Sequence, residues 1–88
     1  MKVSGIYEIT NNLNKKKYIG QSENCYGRWL KHKSDYTKNN SPLYNDMCKY
    51  GIENFSFKVI KRVLPYMLKF EQMACIDKYN TRQPNGYN

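Results

Sequence analysis

The chain has 88 residues, of which 15 are lysine or arginine and 7 are acidic, giving a formal net charge of +8. A chain of this length has room for one sheet and a few helices, so we expect residues 1–88 to form a single domain. The charge favours a nucleic acid over an anionic membrane as partner, because no apolar run approaches the roughly 20 residues of a spanning helix.

The first two elements are predicted to be strands joined by a turn. Residues 3–9, VSGIYEI, are rich in β-branched and aromatic residues, and KYIGQS at 17–22 has a similar composition. The asparagines of the intervening TNNLNKK favour a turn. We therefore expect an antiparallel hairpin that carries Gly5-Ile6-Tyr7 and Tyr18-Ile19-Gly20 on neighbouring strands.

Two helices are predicted to follow the hairpin. The stretch NCYGRWLKHKSDYTKN has a helical pattern, and either Ser22 or Asn24 is suited to cap its N-terminus. In NNSPLYNDMCKYG, Ser41 is a second N-cap, Pro42 suits the first turn and Gly51 is a stop signal. The second helix is therefore short.

A third strand and a third helix complete the predicted elements. NFSFKVIKRV alternates, so that Phe55, Phe57 and Val59 point to one face of a half-buried strand. A helix is predicted from Pro65 to about Asn80, and Asn85-Gly86 forms a turn near the end. The order β-β-α-α-β-α predicts an α+β fold with a three-stranded, mainly antiparallel sheet flanked by helices.

The three cysteines, Cys25, Cys48 and Cys75, are widely spaced, and the chain has one histidine. Without a CxxC pair, this pattern indicates reduced, partly buried thiols and not a structural zinc site. The stretch MKVSGIYEIT has neither the apolar segment nor the small-residue cleavage site of a secretory signal, so we expect a cytoplasmic protein.

A row of polar side chains on the first helix is the first candidate site. Arg28, His32 and Tyr36 are spaced i, i+4 and i+8, which places them in one stripe. A guanidinium offers a planar fork to phosphate oxygens and keeps its charge. The stripe is therefore either a phosphate-binding surface or an ordinary solvated helix face.

Glu71 on the third helix is the second candidate. Its neighbours at helical spacing are apolar, and a carboxylate on an apolar face is costly unless it is paired or binds a metal. Two interpretations stay open: a metal ligand, or a glutamate at the edge of the stripe that is exposed or paired with a lysine.

The strand glycines and tyrosines are the third candidate. Glycine within a strand often marks a close approach of another group, and Gly5 and Gly20 each lie two residues from a tyrosine. We expect them to clear space for another molecule. Lys17 adjoins Tyr18, and a nearby cation would lower the pKa of a phenol.

These features together resemble the GIY-YIG nuclease superfamily, which includes phage and intron homing endonucleases, some restriction enzymes and repair nucleases. The resemblance covers essentially the whole chain and implies the same α+β fold. The matching positions are Gly5-Ile6-Tyr7, Tyr18-Ile19-Gly20, Arg28, His32, Glu71 and Asn88.

The resemblance implies a DNA endonuclease that uses one divalent ion, Mg²⁺ or Mn²⁺, to hydrolyse a phosphodiester. Tyr7 would act as the general base or orient the attacking water. The pKa of a free phenol is about 10, which is too high for efficient base work at neutral pH. Lys17 and the phosphate-binding surroundings would lower it, and His32 would take the proton onward. The remaining implied roles are charge stabilisation by Arg28, fixing of phosphate or water by Tyr18, metal binding by Glu71 (with Asp77 as the alternative ligand), and support of the metal side by Asn88.

Double-stranded DNA is the expected partner, with a separate DNA-targeting domain or a second copy of the chain as possible additions. Basic side chains would supply contacts to phosphates that do not depend on base sequence. The expected DNA-binding residues are Lys15, Lys16, Lys31, Lys33, Tyr36 and Lys38.

Two alternatives use the same fold without catalysis. One is a DNA-binding module, which the charge and the basic first helix would serve equally well. The other is a decoy or inhibitor that occupies a nucleic acid or a partner nuclease. The complete set of tyrosine, arginine, histidine and glutamate favours the enzyme, because a binding module has no need of all four.

Overall fold

The computed structural model describes residues 2–88 and has the predicted order of elements. Two short 3₁₀ turns, Ile52–Asn54 and Pro65–Met67, precede the third strand and the third helix. The main elements are β1 (Gly5–Asn11), β2 (Lys17–Ser22), α1 (Cys25–Asp35), α2 (Pro42–Tyr50), β3 (Phe55–Arg62) and α3 (Leu68–Tyr79).

The sheet has the strand order β2-β1-β3, and both pairings are antiparallel. The predicted hairpin is confirmed: Gly5 is opposite Ser22, and Tyr7 is opposite Gly20. The ladder between β1 and β3 has an irregularity between Ile6 and Tyr7. β1 is therefore the central strand, and its tyrosine lies directly against the strand that carries the second tripeptide.

The two faces of the sheet are covered by different helices. Side chains alternate between the faces of a strand, and Tyr7 and Ile9 pack in a core with residues of α1 and α2. Ile6 and Ile19 pack in a second core with α3. We call these the α1/α2 face and the α3 face. As predicted, Phe55, Phe57 and Val59 share a face, which is the α1/α2 face.

Capping explains most of the helix boundaries. The side chain of Asn24 accepts a hydrogen bond from the N–H of Gly27, and that of Ser41 accepts one from Tyr44. Pro42 occupies the first turn of α2, and Gly51 ends it with a φ of 91°, which favours glycine. α3 begins three residues later than predicted, because Pro65 starts a 3₁₀ turn instead.

The cysteines are unpaired thiols: Cys25 and Cys75 are buried, and Cys48 is exposed. Among residues 2–88, no helix has the length and apolar character needed to cross a membrane.

Candidate active site

Tyr7 is the centre of the site, and Gly20 makes room for its ring. The Tyr7 side chain is only 1% exposed. A Cβ atom added at Gly20 would overlap the phenol ring of Tyr7, which lies across the glycine from the neighbouring strand. The space at Gly20 therefore belongs to a side chain of the same protein, which corrects the expectation that it is kept free for another molecule.

The space beside Gly5 is also filled by the protein itself and is not kept free for another molecule. A Cβ atom at Gly5 would overlap the main-chain carbonyl of Lys61 on β3. Gly5 therefore permits close packing of β1 against β3, next to the irregularity in their pairing.

His32 joins the sheet to both helices of the α1/α2 face. Its Nε2 lies 2.7 Å from the hydroxyl oxygen of Tyr7, and its Nδ1 lies 2.7 Å from the hydroxyl oxygen of Tyr44 on α2. The imidazole is 5% exposed, so both ring nitrogens are paired within the protein. The three side chains form a continuous hydrogen-bonded series of phenol, imidazole and phenol.

Tyr18 and Arg28 complete the cluster. The ring of Tyr18 is centred 6.3 Å from that of Tyr7 and 5.9 Å from that of His32. Arg28 is exposed, and its guanidinium lies beside the phenols of Tyr7 and Tyr18. Arg28 takes part in none of the ion pairs formed among residues 2–88. Its charge is therefore available to an anion that approaches the two phenols.

Burial sets the protonation of the cluster. Desolvation lowers the pKa of His32 to about 4, and the positive charge of Arg28 acts in the same direction. Desolvation also raises the pKa of Tyr7 and of Tyr18, although the charge of Arg28 opposes both shifts. At neutral pH the site thus contains neutral phenols beside a neutral imidazole that has one nitrogen free to accept a proton.

Lys17 does not belong to this cluster. Its ammonium lies 2.9 Å from a carboxylate oxygen of Glu8 and 3.0 Å from the hydroxyl of Thr10. Neighbouring residues of a strand point to opposite faces, so Lys17 lies on the α3 face while Tyr18 lies on the α1/α2 face. The expected lowering of a phenol pKa by Lys17 is therefore corrected; the cation beside both tyrosines is Arg28.

Glu71 is also separated from the phenols by the sheet. It is partly buried on α3, where its carboxylate lies 2.6 Å from the ammonium of Lys61. The alternative ligand, Asp77, is ion-paired with Arg82. Within residues 2–88, no group of three or more histidine, cysteine, aspartate or glutamate side chains is placed to hold a metal ion. Glu71 is therefore a lysine-paired carboxylate that belongs to no cluster of three or more such donors among the described residues.

Asn88 is close to the second tripeptide, but its amide is occupied. It donates to the carbonyl oxygen of Ile19 at 2.8 Å and accepts from the N–H of the same residue at 2.8 Å and from the hydroxyl of Thr81 at 2.7 Å. Gln72 of α3 donates to the same carbonyl at 3.1 Å. These amides satisfy the outward-facing main chain of the edge strand β2.

The expected DNA-binding residues lie in several environments. Lys15 is in the β1–β2 turn with a φ of 68°, Lys31 pairs with Asp35, and Lys33 lies 5.5 Å from the ring centre of Trp29. Tyr36 ends α1 and packs against the core. The remaining two are Lys16, which is partly buried, and Lys38, which is exposed.

Tyr44 and Gln72 were not recognised as candidates from the sequence. Tyr44 lies one residue after the buried Leu43 on a helix whose start was predicted, so its approach to the core could be inferred. Its contact with His32 depends on how α2 packs against α1. The sequence carries no local signal for that contact.

Comparisons with known proteins identify the family and the fold of the chain. The sequence model of one family, described as the GIY-YIG catalytic domain, matches residues 3–88. A solved structure of the catalytic domain of the homing endonuclease I-TevI is 29% identical, covers 97% of this chain and 96% of its own, and has a TM-score of 0.85. A solved structure of a glutamate-to-alanine mutant of the catalytic domain of the intron endonuclease I-TevI is 30% identical and has a TM-score of 0.86. The match covers 98% of this chain and 92% of that one.

Proposed function

Because the chain belongs to the GIY-YIG family, and is thus a nuclease, we propose that it cleaves double-stranded DNA with Tyr7 as the group that activates water. Membership of the family implies DNA endonuclease activity. The single observation that carries the proposed mechanism is the 2.7 Å contact between the Tyr7 hydroxyl and Nε2 of His32.

Hydrolysis of a phosphodiester requires an attacking water that loses a proton and a phosphate whose growing negative charge is stabilised. A phenol with a raised pKa is a weak acid, so it needs an acceptor in contact with it. Neutral His32 is that acceptor: as Tyr7 takes a proton from water, its own proton passes to Nε2. The imidazole carries the positive charge until the proton leaves.

Arg28 and Tyr18 are proposed to hold the phosphate. Arg28 has a charge that no carboxylate among residues 2–88 neutralises, and it lies beside both phenols. A guanidinium can bind two phosphate oxygens at once and supply positive charge where negative charge develops. Tyr18 is half-buried next to Tyr7, so its hydroxyl can donate to the same phosphate or to the attacking water.

GIY-YIG nucleases generally depend on a divalent metal ion, and one ion, Mg²⁺ or Mn²⁺, is the form that the sequence resemblance implied. Glu71 and Asp77, the carboxylates that the resemblance offers for it, are each ion-paired on α3, and α3 covers the face of the sheet opposite the phenols. No step of the proposed reaction is assigned to a metal ion at these two carboxylates. The mechanism proposed for this chain rests on the α1/α2 face alone.

Supercoiled plasmid nicking tests the proposed function. The wild type and Tyr7→Phe would be incubated with plasmid in Mg²⁺, in Mn²⁺ and in a chelator, with Tyr26→Phe as a matched loss of an exposed phenol from α1. The mechanism is supported if the wild type and Tyr26→Phe nick the plasmid while Tyr7→Phe binds DNA but does not nick it. Equal nicking by all three proteins overturns the role of Tyr7, and binding without nicking by the wild type favours a DNA-binding module.

A further inference from the structure

Tyr44 makes the second hydrogen bond of His32, and nothing in the proposed reaction yet uses it. Its hydroxyl lies 2.7 Å from Nδ1, the nitrogen that faces away from Tyr7. The two rings meet edge to face, with centres 5.7 Å apart. Tyr44 stands in the first turn of α2, which the cap at Ser41 and the buried Leu43 hold against the sheet.

A neutral imidazole carries its proton on one nitrogen, and the hydrogen bond made by the other nitrogen decides which one. Tyr7 can give its proton to Nε2 only when that nitrogen is unprotonated, so the proton of the resting ring must be on Nδ1. The contact with Tyr44 provides an acceptor for that proton. With the opposite arrangement, Nε2 would donate to Tyr7 and the route for the phenol proton would be blocked.

Two charges favour the productive arrangement. The guanidinium of Arg28 lies beside Tyr7, and a cation there disfavours a proton on Nε2. The carboxylate of Asp35 acts on Tyr44 and on the imidazole. Asp35 acts on Tyr44 and not on Tyr7, so its negative charge favours a ring proton on Nδ1, the nitrogen that faces Tyr44.

We propose that Tyr44 is a positioning residue, which holds His32 with its proton on Nδ1 so that Nε2 can accept the proton of Tyr7. In the step that it supports, the O–H bond of Tyr7 breaks, an N–H bond forms at Nε2, and Tyr7 takes a proton from the attacking water. No group is oxidised or reduced. The catalytic consequence rests on the proposed function, whereas the protonation state of the resting ring does not.

Nitrogen NMR of the histidine ring tests this directly. His32 is the single histidine of the chain, so ¹⁵N-histidine labelling gives one pair of ring signals with no assignment problem. At pH 7 and without DNA, the wild type should show a protonated Nδ1 and an unprotonated Nε2. The reverse pattern in the wild type overturns the proposal whatever any variant does.

The informative variant is Tyr44→Phe, and Tyr50→Phe on the same helix is its control, because Tyr50 is a half-buried phenol next to the same core. Tyr44→Phe should move the ring proton partly or wholly to Nε2 and lower nicking roughly ten- to a hundredfold, which is at or below the lower limit of general acid–base effects because the acceptor is misoriented and not removed. Tyr50→Phe should change neither. Ring signals in Tyr44→Phe that match the wild type overturn the proposal.

The two proposals fail in different ways. A wild type with Nδ1 protonated that does not nick DNA under any metal condition overturns the proposed function and keeps the assignment of Tyr44. A wild type that nicks DNA with Nε2 protonated overturns the assignment of Tyr44 and the passage of the Tyr7 proton to Nε2, and leaves the nuclease activity itself standing. If Tyr44→Phe does not fold, the wild-type spectrum can still overturn the proposal, because a protonated Nε2 contradicts it.

Discussion

The hydroxyl oxygen of Tyr7 and Nε2 of His32 lie 2.7 Å apart at the junction of β1 and α1. Both side chains are buried in the structure without bound DNA. Burial disfavours the charged form of each group. The pair is therefore stable as a neutral phenol and a neutral imidazole, and it becomes charged only when a proton moves between them.

We expect the neutral state of His32 to make stability pH-dependent. Its pKa is about 4 in the folded protein and about 6.5 when unfolded, so the unfolded state binds more protons between these values. The contribution of His32 to the free energy of unfolding is fully present above pH 6.5 and is lost as the pH falls toward 4. Between pH 7 and 5 the loss attributable to His32 should be on the order of 2 kcal/mol.

Urea unfolding of the wild type and His32→Gln at pH 5, 6 and 7 measures this effect. The groups that face the imidazole are Tyr7, Tyr18, Tyr44, Arg28 and Asp35, of which only Asp35 is a carboxylate. The difference between the two proteins should shrink with decreasing pH. Parallel stability curves would show that His32 has the same proton affinity in both states.

We expect Gly20→Ala to abolish nicking by moving Tyr7. The added methyl group would overlap the phenol ring of Tyr7. Overpacking of a core generally lowers the free energy of unfolding by about 1–3 kcal/mol. Gly5→Ala is the control, because its methyl group meets the main chain of Lys61 and does not meet the ring. Urea unfolding, and nicking corrected for the folded fraction, should show both variants destabilised and only Gly20→Ala inactive.

Much of the fold could be predicted because its signals are local. The bounds of α2 were predicted from Ser41, Pro42 and Gly51. The hairpin was predicted from the composition of the two tripeptide segments. The site was harder to predict from the same sequence. Tyr7, Tyr18, Arg28 and His32 do lie together, as the resemblance implied, but Lys17 and Glu71 do not join them.

The reason is that site membership depends on which face of the sheet a residue occupies. Lys17 is adjacent to Tyr18 in the sequence, and strand geometry alone sends it to the opposite face. The role of a strand glycine is equally ambiguous, because a glycine that makes room for a bound molecule looks the same in the sequence as one that makes room for a neighbouring ring. Tyr44 required the packing of two helices, which no pattern along the chain specifies.

We expect Arg28→Lys to lower the cleavage rate while changing DNA affinity little. The lysine keeps the positive charge but cannot bind two phosphate oxygens in one plane. The loss should appear in single-turnover cleavage with DNA in saturation, roughly ten- to a hundredfold, which is less than the removal of one charge-stabilising donor costs because the lysine keeps the charge. Lys31→Ala is the contrasting variant. It should lower the affinity for DNA and the dependence of that affinity on salt, without lowering the cleavage rate of the bound complex. An Arg28→Lys protein with normal single-turnover rates contradicts the assignment.

We expect Glu71→Gln to leave nicking unchanged. Glu71 is on the α3 face and pairs with an exposed lysine, and exposed ion pairs contribute little to stability. Lys61→Gln breaks the same pair but keeps the carboxylate, so the two variants separate the ion pair from the carboxylate itself. If only Glu71→Gln loses nicking in Mg²⁺ and both variants fold, then Glu71 acts in catalysis and its carboxylate must turn away from Lys61.

We expect Asn88→Asp to destabilise the fold, because the amide of Asn88 bonds both the N–H and the carbonyl oxygen of Ile19. A carboxylate keeps the acceptor but replaces the donor with an oxygen that faces the carbonyl. Leaving such a group unpaired costs about 1–3 kcal/mol. Protonation would restore a donor, so the loss should be larger at pH 7 than at pH 4.

The matched control is Asn85→Asp, which introduces the same charge in the same segment at an exposed side chain. Urea unfolding at both pH values should show a loss specific to Asn88→Asp. Equal stability of the two variants would mean that β2 does not depend on this amide, which would then be free to take part in the chemistry of the adjacent Tyr18. A specific loss makes Asn88 the residue that holds the edge strand, and with it Tyr18, in place.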